Sequence, residues 1–150
     1  MFTGKALWFL KQQASRLKVK GLSFMENIYQ WSKMVRIIES DNNHQASAGT
    51  TSAKGVYQFT DASVHTAKQR MWNMGFEAEY IREIDNNPHN WTDEHADSMF
   101  LANMFAQRGS DALLKKVGKG DIDAMKTAYY KFHHTDPDNA TKKRVDNIIV

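Results

Sequence analysis

The sequence predicts a mainly α-helical single domain. Three observations carry this: apolar residues recur at spacings of three and four over most of the chain, prolines number only two, and only 45–58 has the composition of strands or turns. A length of 150 residues with 41% hydrophobic content suits one compact core, and eight Phe with four Trp supply burial to offset the ordering entropy. The absence of cysteine excludes disulfides, thiolate catalysis and Cys-ligated zinc.

The first element is a helix-forming segment over 5–20, in which Leu7, Trp8, Phe9 and Leu10 cluster early and basic residues interleave afterwards. The net charge of +3 hides an asymmetry: residues 1–36 hold seven basic groups against Glu26 alone, while the other 114 residues hold 13 basic and 16 acidic. A basic amphipathic segment of this kind can dock on an anionic surface or a partner, or pack on the body with its lysines in water. The sequence is accordingly divided into a basic N-terminal segment, 1–22, and a domain, 23–150.

Next, Phe24, Ile28, Trp31, Val35 and Ile38 form a core-facing stripe, with Ser23 and Glu26 reading as a capping box at its start. The stripe ends near Glu39, Ser40–Lys54 reads as a loop or small hairpin, and the only plausible strands fall in a small β-hairpin or loop region near 45–58. Thr60 with Asp61 caps a helix carrying Val64, Ala67 and Met71. Further helices are predicted at about 76–84, 92–108, 110–117, 121–132 and 138–149; in the fourth of these Asp121 caps, and Ile122, Met125, Tyr129 and Phe132 form the stripe. No apolar run approaches the roughly 18 residues of a membrane span, and Ala6–Leu10 is too short for a signal-peptide core.

Glu39 is the informative residue. It ends an apolar helix, where the negative end of the dipole and the apolar neighbours both disfavour a carboxylate, so its pKa is expected to be raised. A carboxyl group that keeps its proton near neutrality is what a general acid for glycosidic cleavage requires. On position alone, a solvent-exposed Glu in a last helical turn is the favoured explanation.

Downstream of Glu39-Ser40 come Ser52-Ala53-Lys54-Gly55-Val56-Tyr57-Gln58-Phe59-Thr60 and, much later, Ala128-Tyr129-Tyr130. This order resembles the lytic transglycosylases with the goose-type lysozyme-like fold, whose pattern is Glu-Ser, a Gly-Leu-Met-Gln-like turn, then Ala-Tyr-Asn. Glu39-Ser40 and Gly55-Val56-Tyr57-Gln58 match the first two motifs, whereas Tyr130 replaces the Asn of the third and Phe132 stands where the family has Gly. The resemblance covers about 24–149 and implies a lysozyme-like fold, with Glu39 as the one catalytic carboxyl group. Glu39 would protonate the departing oxygen between N-acetylmuramic acid and N-acetylglucosamine, then take the muramyl 6-hydroxyl proton as a 1,6-anhydro ring closes.

Ser40, Ser52, Gly55, Tyr57, Gln58, Tyr129 and Tyr130 are the candidate substrate contacts. Gly55 has no Cβ to obstruct a sugar, Gln58 offers a donor and acceptors to an acetamido group or hydroxyl, and Tyr129 can hydrogen-bond near the reacting centre. Each also has a structural explanation: a turn glycine, a helix-start side chain, a core aromatic. The resemblance needs no cofactor and no metal. It makes peptidoglycan glycan strands the partner and a monomeric domain the expected state.

Alternatives remain at this level. A hydrolytic muramidase needs a second carboxylate; the phage-lysozyme spacing would put Asp where Ala48 stands, Asp41 points away from Glu39, and Asp61 stays open. His133-His134-Thr135-Asp136-Pro137-Asp138 is dense in possible metal ligands but lacks a metal-site spacing and reads as a solvated loop. Asn86–Trp91 reads as a turn with a core Trp that can alternatively line a sugar groove. A DNA-binding protein is disfavoured by the acidic body, and a non-catalytic virion protein by the joint presence of Glu39, Ser40, Gly55 and Gln58. The lack of an export signal in the chain as given suggests a phage product, either an endolysin or a virion domain. Such a product would reside in a virion, or in the host cytoplasm before release to the wall. Segment 1–20 is then the place to seek virion proteins or a membrane surface.

Overall fold

A computed structural model describes residues 1–150. Its eight helices are α1 (Gly4–Leu17), α2 (Gly21–Ser40), α3 (Asp61–Asn73), α4 (Ala78–Glu83), α5 (Asp93–Phe105), α6 (Ser110–Gly118), α7 (Ile122–Phe132) and α8 (Asn139–Ile148), with one 3-10 turn at Pro88–Asn90. The mainly helical class is thus as the periodicity predicts. No helix is long and apolar enough to cross a membrane.

Two local expectations are corrected. The small β-hairpin is absent: 45–58 holds only isolated antiparallel bridges, Ser47 with Lys54 and Lys54 with Phe59. Gly49 and Gly55 at positive φ, with Gln58 also left-handed, fold the chain back too often for strands to propagate. The Ser23/Glu26 capping box is also absent. The chain leaves α1 through left-handed Lys18, whose amide and that of Val19 return to the Ser15 and Ala14 carbonyls. Helix α2 therefore resumes at Gly21 behind Lys20, and Ser23 lies inside its first turn.

Helix α1 shares the core with the rest of the chain. Phe9 and Leu10 are fully buried, and the Phe9 ring meets Phe105 of α5 edge-on at 6.0 Å. Of the early apolar cluster, Trp8 remains the exposed member. Phe24, Ile28, Trp31, Val35 and Ile38 are all buried, as their spacing predicts. Close packing sets α2 against α6, because a Cβ on Gly118 would lie 2.1 Å from the Phe24 ring, and Asn27 Nδ2 donates to the Gly118 carbonyl at 2.8 Å. Trp31 Nε1 donates to the Met125 carbonyl at 3.0 Å and so fixes α2 against α7. These ties set the distance between Glu39 at the end of α2 and Tyr129 on α7.

A buried ionic group lies one helical turn before Glu39. Arg36 Nη2 donates to Asp97 Oδ1 of α5 at 2.7 Å, Nη1 reaches the more exposed Asp93 at 3.0 Å, and Nε donates to Tyr57 Oη at 3.1 Å. Tyr57 Oη donates in turn to Asp97 Oδ1 at 2.7 Å, and its ring stacks on Phe100 at 4.3 Å. Burial pushes the Asp97 pKa up against the pull of Arg36, and the net direction is upward.

Candidate active site

Helix α2 ends where Asp41 and Asn42 both adopt left-handed backbone, conformations that Asp and Asn tolerate better than most residues. Their amides return to the Ile37 and Arg36 carbonyls. From α8, Arg144 donates to the Ile37 carbonyl at 2.7 Å and the Ile38 carbonyl at 3.3 Å, and pairs with Asp41 at 3.1 Å. A cation on the last carbonyls of a helix complements its negative end, so the terminus that carries Glu39 is held from outside the helix.

Three segments distant in sequence meet here through hydrogen bonds. Ser40 Oγ donates to the Val56 carbonyl at 2.8 Å, which joins the end of α2 to the turn at 54–59. His133 Nε2 donates to the Tyr57 carbonyl at 2.8 Å, which joins the same turn to the end of α7. Tyr129 Oη donates to Glu39 Oε1, which joins α7 to α2. The structure therefore brings together the Glu39-Ser40, Gly55–Gln58 and Tyr129-Tyr130 segments singled out in the sequence.

The roles of the individual side chains differ from expectation. Ser40 is a structural tie, also within reach of the Arg36 carbonyl at 3.1 Å and accepting from the Asn43 amide at 3.2 Å. Ser52 accepts from the Asp61 amide at 2.9 Å and braces the start of α3. Gly55 (φ +83°) faces the chain itself: a Cβ there would stand 2.9 Å from Pro88 Cβ, so the missing side chain admits Pro88. Tyr57 is buried within the Arg36–Asp97 group and offers no surface to a ligand, which corrects its assignment as a substrate contact. Gln58 Nε2 is held by the Gly55 and Ala46 carbonyls at 2.9 and 3.2 Å, and no group of the chain donates to its Oε1. Tyr130, half-buried, meets Tyr129 edge-on at 5.5 Å and makes no hydrogen bond to Glu39. Trp91 is buried edge-on to Phe59, with its Nε1 donating to the Asp85 carbonyl at 2.6 Å.

The residues that sequence reasoning missed are the two histidines. Their sequence pattern predicts a solvated loop, but His133 lies among Tyr57, Phe59, Phe100 and Tyr129, and His134 Nδ1 reaches Tyr129 Oη at 3.1 Å and Glu39 Oε1 at 3.4 Å. Helix α7 ends in a tight turn in which the amides of both histidines return to the Tyr129 carbonyl, at 3.0 and 2.9 Å, and this folds both rings toward Glu39. A usable signal was in the sequence: His133 lies four residues after Tyr129, on the same helical face.

The electrostatics of Glu39 reverse the expectation from sequence. Burial does push its pKa up, but the His134 hydrogen bond, the neighbouring imidazole charge and the Tyr129 hydroxyl outweigh it, and the net direction is downward. His133 is itself held neutral by burial, so near neutrality the pull comes from His134 and Tyr129. His134 moves the other way, raised chiefly by its hydrogen bond to Glu39. Burial and the adjacent carboxylate keep Tyr129 protonated throughout.

The two carboxyl oxygens are not equivalent. Oε1 takes the contacts of both Tyr129 and His134, whereas Oε2 makes no hydrogen bond within the chain and is not sealed from solvent. Asp41 is exposed and paired with Arg144, and neither Asp41 nor Asp61 is among the groups that act on the Glu39 carboxyl. The principal cavities lie elsewhere; the one nearest in sequence, about 290 Å³, is lined by Lys33, Arg36, Ile37 and Asn42, and Ile37 is on the other side of α2 from Glu39. The carboxyl is thus largely enclosed, with Oε1 covered by Tyr129 and His134 and Oε2 the oxygen left toward solvent. Comparison with known proteins adds no relative: no family model, no curated protein and no solved structure matches the chain.

Proposed function

We propose that the protein is a peptidoglycan lytic transglycosylase, with Glu39 as its single catalytic acid and base. The observation that carries this reading is the Glu39 carboxyl itself: largely enclosed at a helix end, fixed through Oε1 by Tyr129 and His134, free at Oε2, and without a second carboxylate among the groups that act on it. A carboxyl fixed at one oxygen and open at the other can give a proton to a leaving oxygen and take one back from the same direction. Hydrolysis through a nucleophile or a water-activating base needs a second carboxylate about 5–9.5 Å away, and Asp41 is engaged by Arg144. Intramolecular attack by the substrate's own 6-hydroxyl does not need one.

In this reading Oε2 protonates the glycosidic oxygen between N-acetylmuramic acid and N-acetylglucosamine. The resulting carboxylate then accepts the 6-hydroxyl proton while that oxygen closes on the anomeric carbon. Ser40 and the turn at 54–59 position the helix end. Gln58 Oε1 remains available to an amide of the substrate.

Digestion of purified peptidoglycan followed by mass analysis of the products tests the reading. Anhydro-muropeptides are the expected products, lost in Glu39→Gln. Reducing-end products would move the assignment to a hydrolytic muramidase, and full activity of Glu39→Gln would remove Glu39 from the chemistry.

A further inference from the structure

The hydroxyl of Tyr129 has one hydrogen and gives it to Glu39 Oε1. The Nδ1 of His134 faces that same hydroxyl oxygen and the same carboxylate oxygen, at 3.1 and 3.4 Å. Two oxygens presenting lone pairs require that Nδ1 bring its own hydrogen. The imidazole is also 35% exposed, which lets it exchange protons with solvent, while the Glu39 side chain is only 11% exposed.

We propose that His134 is the proton source for Glu39: the hydrogen on Nδ1 passes to the carboxyl when a glycan strand covers the site, so that Glu39 meets the glycosidic oxygen as an acid. This role rests on the reading of Glu39 given above. In the uncovered protein the contact raises the imidazole above its ordinary value and the carboxyl is held below its own, which favours an imidazolium beside a carboxylate. A neutral glycan laid over it removes water, and loss of water disfavours two charges relative to a neutral imidazole beside a carboxylic acid.

The transfer conserves charge, because Nδ1 loses the proton that the carboxyl gains. The proton arrives on Oε1, the oxygen that Nδ1 faces, and rotation of the now neutral carboxyl about its two-fold terminal torsion carries it to the open side. From there it goes to the leaving oxygen as the glycosidic bond breaks, and the carboxylate recovers one from the 6-hydroxyl as the anhydro ring forms. When product leaves and water returns, the proton goes back to Nδ1, so a turnover consumes no net proton.

The groups around His134 favour its charged form. Glu39 faces it from α2, Tyr129 from α7, and Asp138 and the Asp136 backbone from the start of α8; burial and the adjacent His133 oppose, and Arg144 of α8 acts on Tyr129. Without His134 the carboxyl depends on its own proton, with burial pushing its pKa up and the Tyr129 hydroxyl pulling it down. With it, the pair keeps its proton until the imidazole titrates, above its ordinary value of 6.5.

The test is kcat/KM for peptidoglycan fragments from about pH 4 to 9 in the wild type, His134→Gln and His134→Ala, with a parallel NMR titration of the His134 ring. The wild type should lose activity on the alkaline side with the same midpoint as the ring titrates, above 6.5. His134→Gln should be about a hundredfold slower at neutral pH, with its alkaline limb moved into the carboxylate range, and added imidazole should restore part of the rate of His134→Ala. A structural role would show neither the moved limb nor the rescue.

An unmoved limb and an undiminished rate in His134→Gln overturn the inference and leave Glu39 as the acid. Wild-type protein that leaves peptidoglycan intact at every pH overturns the reading of Glu39, and this role with it. The titration stands even where a variant does not fold: a ring titrating at or below 6.5 in the wild type removes the proton source.

Discussion

Ser40 Oγ donates to the carbonyl oxygen of Val56 at 2.8 Å, so the residue beside the candidate acid holds two segments together. Replacing Ser40 with Ala leaves the carbonyl of buried Val56 without that donor and frees the turn at 54–59 from α2. One such hydrogen bond contributes about 1 kcal/mol. Ser40→Ala is expected to lower stability by that amount in urea unfolding at unchanged m-value, and to lower kcat on peptidoglycan more than it raises KM. A stability change below about 0.3 kcal/mol would show that the turn keeps its place without this bond.

Gly55 makes a second, sharper case. Its φ of +83° and the 2.9 Å approach of a would-be Cβ to Pro88 Cβ combine strain with a clash against a rigid ring. Gly55→Ala should destabilise by about 2–3 kcal/mol, read as a lower urea midpoint. Because Gly55 here meets Pro88 and no ligand, the loss should be the same with and without bound glycan fragments. A substitution that leaves folding intact but weakens glycan binding would instead place Gly55 at the sugar surface.

What the sequence made legible was periodic or local. The apolar stripe of α2 and the positions Met125, Tyr129 and Phe132 of α7 are buried as their spacing predicts, and Thr60 and Asp121 cap the helices they precede. Order along the chain also flagged Glu39, the turn at 55–58 and Tyr129, which the fold brings into one place. Long-range partners were not legible. Nothing local shows that Gly55 makes room for Pro88, that the Tyr57 hydroxyl belongs to Arg36 and Asp97, or that the end of α7 turns His134 onto Glu39. The pKa of Glu39 was read in the wrong direction for the same reason: helix position and apolar neighbours are local, whereas the donors that stabilise its charge arrive from α7 and the turn after it.

Arg36 and Asp97 form the most enclosed ion pair of the molecule, each side chain only 10% exposed. Removing the guanidinium alone strands a buried carboxylate and the Tyr57 hydroxyl, and loss of one partner of such a pair costs about 3–5 kcal/mol. Arg36→Met should therefore unfold far more readily than the wild type at neutral pH. The double variant Arg36→Met/Asp97→Leu should recover part of that loss, since the pair and its desolvation cost vanish together while the buried Tyr57 hydroxyl is left without a partner. Measured in a double-mutant cycle, additive losses would show that the two side chains act independently.

The Glu39–His134 pair sets a pH dependence of stability whose sign follows from both partners. His134 is raised above 6.5 by its contact with Glu39, so its contribution is complete below 6.5 and is lost as pH rises through the folded-state value. Glu39 is lowered below 4.5, so its contribution is present above 4.5 and is lost as pH falls through the folded-state value. Both statements describe one interaction, which is strongest between about 4.5 and 6.5 and, with the imidazole a third exposed, amounts to about 0.5–1 kcal/mol. Half-buried His133, whose pKa is lowered chiefly by desolvation, works against stability as pH falls below 6.5; the charge of His134 adds to this only as the smallest cause, so most of the effect is common to wild type and variant. Urea unfolding of wild type and His134→Gln should therefore show a stability difference that peaks near pH 5.5 and narrows toward both pH 3 and pH 9. A difference that stays flat across that range would mean that His134 supports the fold by packing, with no charge shared with Glu39.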